Sequence, residues 1–186
     1  MAPKRPKIHP LIRLAPKMLL AILLVFTLAA VVAGELFGAY DIFWWWDDML
    51  HGVSGVIFGL IGFLLAYFIN GRYHLAVGPL FMAVFAFTFA MTIGVLWEIF
   101  EFSVDVVFGA AMQQWNLPDD ARLMGKAFQG SGLRDTMSDL ILASGGALFA
   151  AIFSYLAYKN DRQTVLSVMR QMFPMIRRKK RTARTK

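Results

Sequence analysis

Long apolar runs dominate this chain and decide what it can become. Met18–Phe37, Leu50–Ile69, Leu80–Phe102 and Leu140–Tyr158 each approach the roughly 20 residues that an α-helix needs to cross a hydrocarbon core about 30 Å thick. Inside lipid every backbone N–H and C=O must be satisfied within the protein, so runs of this length read as spanning helices. The surplus of apolar side chains is too large for a soluble core of this size. Of 186 residues, 58% are hydrophobic and 17% charged, against about half and a quarter in soluble domains. A soluble enzyme, a disordered tail and a disulfide scaffold are excluded. The absence of cysteine excludes thiol catalysis and Cys-ligated zinc, and leaves the redox compartment undetermined.

The first run follows Pro16, which suits a helix start because its missing N–H needs no partner there. A basic start, an apolar core and Ala33-Gly34 also fit a secretory signal peptide. The run is long for that, and further spans follow, so an uncleaved helix is expected. Asn70-Gly71-Arg72 is a turn signal that closes the second span. Gly52, Gly55, Gly59 and Gly62 on the second span, and Ala143 to Ala147 on the fourth, are small enough for close helix–helix approach.

Lys and Arg orient the spans. The arm 1–17 carries five, the loop after the second span carries Arg72, and the tail 159–186 carries ten. The other side, chiefly the loop 106–134, has only Arg122, Lys126 and Arg134. Because Lys and Arg resist translocation, both termini are expected in the cytoplasm. Asp161–Ile176 places Val165, Val168, Met169, Met172 and Ile176 largely on one face, as in a helix lying on a membrane surface. Arg177–Lys186 is then a polybasic strip drawn to anionic lipid headgroups. No nucleic-acid partner is expected. The fold expected is all-α: a polytopic membrane protein of four transmembrane helices with an amphipathic C-terminal helix on the cytoplasmic surface.

The acids are scarce and ordered. In this topology Asp47, Asp48 and His51 open the second span, Glu98, Glu101 and Asp105 end the third, and Asp135 and Asp139 open the fourth. All three groups fall near the outer interface, where Glu35 could join them. Lys and Arg alone set the orientation, so this convergence is independent of it. The spacings i, i+3 and i, i+4 put the members of each group on one helix face. So many carboxylates at close range need protons or a cation among them. Oxygen donors with one imidazole suit Mg²⁺, Mn²⁺, Ca²⁺, Fe²⁺ or Zn²⁺. A divalent-cation site of His51, Glu98, Glu101 and Asp139 is expected, with Asp47, Asp48, Asp105 and Asp135 around it. Were the site catalytic, Glu98 or Glu101 would be the general base for a metal-bound water.

Plainer accounts exist for parts of this pattern. Acids at helix N-termini are favoured by the helix dipole, which covers Asp47, Asp48, Asp135 and Asp139. It fails for Glu98, Glu101 and Asp105, at a C-terminal end. Pairing with Arg122 or Arg134 is another account. Trp44, Trp45, Trp46 and Trp97 read as an interfacial aromatic belt. Asp119 and Asp120 read as the start of a surface helix, and His9 and His74 as solvated. The chain has no Walker loop, GxSxG elbow or HExxH motif.

Three motifs in order, Trp45-Trp46-Asp47-Asp48-Met49-Leu50-His51, Trp97-Glu98-Ile99-Phe100-Glu101-Phe102 and Asp135-Thr136-Met137-Ser138-Asp139-Leu140, resemble the YjdF-type family of bacterial inner-membrane proteins, related to the VanZ-like group. The resemblance spans roughly Tyr40 to Tyr158. It implies a small polytopic protein of the bacterial cytoplasmic membrane, from a family without an assigned activity. Two further function classes stay open: a proton- or cation-coupled transporter, and a structural subunit, alone or in an oligomer.

Overall fold

The computed structural model describes residues 21–28, 30, 32, 37–115, 130–161, 163 and 165, and of Asp41 the backbone alone. Residues 21–28 are α-helical (α1) and lie within the first expected span. The rest of that span, including Glu35, lies outside the described residues or is described only in isolated positions. A short helix α2 (Ala39–Ile42) leads into three long ones, α3 (Trp46–Tyr73), α4 (Pro79–Phe108) and α5 (Ser131–Asn160). Among the described residues there is no strand.

The three long helices are the candidate membrane spans among the described residues. They have 28, 30 and 30 residues, about 42–45 Å at 1.5 Å per residue. That matches a bilayer with its headgroups rather than its hydrocarbon core alone. Each helix therefore runs several residues past its apolar stretch, and the acids that the sequence places at span ends sit inside helical turns. α4 ends at Phe108 and α5 starts at Ser131, so the connection between them is shorter than the expected 106–134.

The turn after the second span also lies further on than expected. Asn70, Gly71 and Arg72 remain in α3, which ends with His74 in the left-handed conformation, φ 56°. Asn70 makes the turn from within the helix. Its carbonyl accepts the Leu75 N–H at 3.3 Å, and its side-chain Oδ1 accepts the Val77 N–H at 3.2 Å. Pro79 then starts α4, where the fixed φ of proline fits the first helical turn.

The packing is that of a protein in lipid. Small side chains fill the interior: Ala143, Ala147, Ala150, Ala151 and Ser154 of α5, and Ala83, Ala86 and Ala90 of α4, are buried. Large ones such as Phe100, Phe102, Phe149, Ile152 and Phe153 point outward. With no hydrophobic drive between helices in lipid, close backbone approach and van der Waals contact hold the bundle. A Cβ on Gly55 would strike the Ala143 carbonyl, one on Gly146 the Gly52 carbonyl, and one on Gly59 the Ala150 methyl. On the α4 side, Gly62 lies against Ala86. The three long helices pack against one another in every pairing, α3 and α5 most extensively.

At the end of the bundle that holds the α3–α4 turn, Phe63, Ala66, Tyr67, Met82, Ala86 and Tyr158 form an apolar core. Val165, at the start of the expected surface helix, packs against this cluster. Of that amphipathic segment only Asp161, Gln163 and Val165 are described, and the polybasic strip lies outside the described residues.

Candidate metal centre

The acids collect at the opposite end. α3 and α5 begin there and α4 ends there, so antiparallel packing brings the first turns of two helices beside the last turns of the third. Asp47 and Asp48 occupy the first turn of α3 and His51 the next. On α4, Glu98 and Glu101 are the buried residues nearest the C-terminus. On α5, Asp135 and Asp139 lie in the second and third turns and are buried, while the first turn carries no acid. None of the three long helices is capped at its N-terminus by a side chain. The dipole account therefore suits Asp47 and Asp48 by position, and does not cover Asp135 or Asp139.

His51 is the hub. Its Nε2 lies 3.6 Å from Asp47 Oδ1 and 3.9 Å from Asp139 Oδ2, and its Nδ1 lies 3.7 Å from Glu98 Oε1. These separations exceed hydrogen-bond length. Asp139 is 1% exposed, Glu98 6% and His51 7%. Both Glu98 oxygens, Asp139 Oδ2 and Asp135 Oδ2 are buried without a hydrogen-bond partner, although Thr136 and Gln113 flank Glu98. Buried polar atoms are nearly always paired, so each of these asks for a partner. Asp139 also lies in the field of Asp47, Asp135, Glu98 and Glu101.

Two groups of three donors are close enough to hold a metal ion, one atom from each residue within 4.8 Å of the others: Asp47, His51 and Asp139, and His51, Glu98 and Glu101. The expected set of His51, Glu98, Glu101 and Asp139 is brought together, and it divides across the imidazole. Asp47 stands with Asp139 on one side, a closer place than the surrounding role read from the sequence. Asp48, half-buried, lies within the field acting on Asp135.

Asp105 has different work. Its two carboxylate oxygens accept the backbone N–H groups of Met112 at 2.8 Å and Gln113 at 3.0 Å. They fold the segment after α4 back toward the bundle. From that segment Gln113 Nε2 donates to Thr136 Oγ1 at 2.7 Å, and Gln114 Nε2 to Asp47 Oδ2 at 3.3 Å. Gly132 lies against Trp115 and the Gln113 carbonyl, close enough that a Cβ would touch both. This segment, which no motif or periodicity marks, makes polar contacts with the acidic end.

Of the four expected belt residues Trp44, Trp45 and Trp97 are exposed, whereas Trp46 is half-buried, with its indole N–H buried and without a hydrogen-bond partner. Trp97 does more, since its indole N–H donates to Glu101 Oε1 at 2.7 Å. Its i, i+4 spacing to Glu101 was the available signal. Arg134 is buried, and its Nε donates to the Gly130 carbonyl at 3.3 Å. It is the only Lys or Arg at this end among the described residues. Asp119, Asp120, Arg122 and Lys126 lie outside them.

Fold and site together define a helical integral membrane protein with a buried cluster of carboxylates around one histidine. The chain belongs to the family described as "Predicted membrane protein (DUF2238)", whose family model matches residues 7–160. No curated protein and no solved structure matches it.

Proposed function

We propose that the cluster is a divalent-cation site, held by His51, Glu98, Glu101 and Asp139 with Asp47 joining them. The observation that carries this reading is the set of unpaired oxygens on Glu98 and Asp139, buried on two helices and facing the imidazole of a third. An unpaired polar atom in a dry interior is costly, and a hard cation with oxygen and imidazole donors relieves several at once. The charge balance points the same way, with seven carboxylates of α3, α4 and α5 and a single Arg at this end among the described residues.

The arrangement of Lys and Arg supports a site at the outer face of a bacterial cytoplasmic membrane, with both termini inside. The likeness of the three motifs to the YjdF-type family of bacterial inner-membrane proteins fits the same location. A cation there would serve chemistry on a lipid-linked or cell-envelope substrate by polarising an oxygen or activating water. A carboxylate of the Glu98–Glu101 pair not engaged as ligand would take the proton. Transport is the weaker reading. The far end of the bundle is packed with Phe63, Tyr67, Met82 and Tyr158 and holds no buried carboxylate among the described residues. Carrier sites usually lie near the midplane, with access to both sides.

The test is elemental analysis of the detergent-purified full chain beside its Glu98→Gln/Asp139→Asn variant. Stoichiometric divalent metal in the first and none in the second is expected. Metal-free protein in both, after incubation with each candidate ion, refutes the reading.

A further inference from the structure

We propose that His51 divides the cluster into two cation seats that exclude one another. This rests on the reading of the cluster as a divalent-cation site and specifies how that site is built. Asp47 and Asp139 stand on the Nε2 side and Glu98 on the Nδ1 side, and Glu101 completes a second group of three donors with Glu98 and the ring. Each side has its own unpaired, buried oxygen: Asp139 Oδ2 on the first, and Glu98 Oε1 and Oε2 on the second. Neither side is a leftover of the other.

The spacing fits donors around an ion rather than donors bonded to one another. Ligands about 2.1–2.2 Å from a tetrahedral ion are about 3.4–3.6 Å apart. The nitrogen–oxygen separations of 3.6, 3.7 and 3.9 Å lie at or just above that span. Such an arrangement closes on a cation with small side-chain movements.

Exclusion follows from the ring. A neutral imidazole has one lone pair and one N–H, on opposite nitrogens. When one nitrogen ligates, the other donates, and a ligating histidine commonly gives that N–H to a carboxylate. A cation between Asp47 and Asp139 directs the Nδ1–H at Glu98. A cation between Glu98 and Glu101 directs the Nε2–H at Asp47 or Asp139. The acids of the unfilled seat thereby hold the ring for the filled one. Filling both seats through the ring would take its remaining proton. The seats also tie different helices, the first joining α3 to α5 and the second α3 to α4.

The experiment uses Mn²⁺ as probe, with binding and pulsed EPR on the full chain in detergent. Wild type is expected to bind one Mn²⁺ per chain. Asp47→Asn/Asp139→Asn and Glu98→Gln/Glu101→Gln should each still bind one, roughly 10–100-fold more weakly. In both, nitrogen modulation from His51 should persist, and it should vanish in His51→Ala. Two Mn²⁺ per wild-type chain overturns exclusion. So does loss of binding in one pair variant with unchanged affinity in the other, which means one seat. Bound Mn²⁺ without nitrogen modulation in either variant overturns the shared ring. If a pair variant is not monodisperse, Asp139→Asn and Glu98→Gln alone are read by the same criteria. Wild type that binds no cation at all fails earlier, sinking the cation reading itself.

Discussion

The Ala143 carbonyl of α5 lies against Gly55 of α3 so closely that a Cβ on Gly55 would overlap it. This contact lies one turn from His51, and it sets how near Asp139 comes to the imidazole. Gly55→Ala is expected to destabilise the bundle by about 1–3 kcal/mol, the usual cost of overpacking. A thermal melt in detergent reads the loss directly. Gly145→Ala is the control, because its Cβ meets nothing within 4 Å, and it should leave the melting temperature unchanged or slightly raised. Equal effects from the two substitutions would mean that α3 and α5 are further apart than described.

Trp97 reaches Glu101 from a lipid-exposed position. Trp97→Phe keeps the ring at the interface and removes the donor. Partners of ligating carboxylates orient them, and their loss typically costs 10–100-fold in metal affinity. Mn²⁺ affinity is therefore expected to fall by about tenfold in this variant with stoichiometry unchanged. An unaltered affinity assigns Trp97 to the aromatic belt alone.

What was legible in the sequence follows from where physics imposes a pattern. Lipid demands apolar runs of near-fixed length, so three spans could be read directly. Their ends could not, because Asp47, Asp135 and Arg72 continue their helices through the polar interface, where composition no longer distinguishes helix from loop. The meeting of His51, Glu98 and Asp139 was readable because helical spacing and antiparallel order both constrain it. Their division about the ring was not, since ring orientation depends on packing between helices. Gln113 and Gln114 had no periodicity to mark them. Asp105 shares a face with Glu98 and Glu101 by spacing, yet the backbone of the following loop claims both its oxygens.

Asp105→Asn separates an anchor from a ligand. An amide cannot accept two backbone N–H groups with two oxygens, so one of the Met112 and Gln113 bonds is lost. Hydrogen bonds to a carboxylate contribute about 1.5–3 kcal/mol. The Met112 and Gln113 amides should then exchange with deuterium at least about tenfold faster, while cation stoichiometry stays as in wild type. Lost stoichiometry with unchanged exchange would make Asp105 a ligand instead.

A cation that binds the folded bundle and not the unfolded chain must stabilise it. At a free concentration 100 times Kd, mass action contributes about 2.7 kcal/mol. Adding the bound divalent ion to chelator-treated protein should raise its melting temperature progressively with concentration. Glu98→Gln/Asp139→Asn should show no such rise. A concentration-dependent rise of the same size in that variant would place the responsible site elsewhere on the protein.

The proposed orientation can be read chemically because the chain has no cysteine of its own. Ala111 is exposed in the segment beyond α4, at the acidic end, and Leu75 is exposed in the turn at the other end. With both termini inside, Ala111→Cys should react with a membrane-impermeant maleimide on intact spheroplasts. Leu75→Cys should react only after permeabilisation. Each position is outside the helices, so neither substitution should disturb the bundle. The reverse labelling pattern would put the acids on the cytoplasmic side, and an envelope substrate would then be out of reach of the His51 cluster.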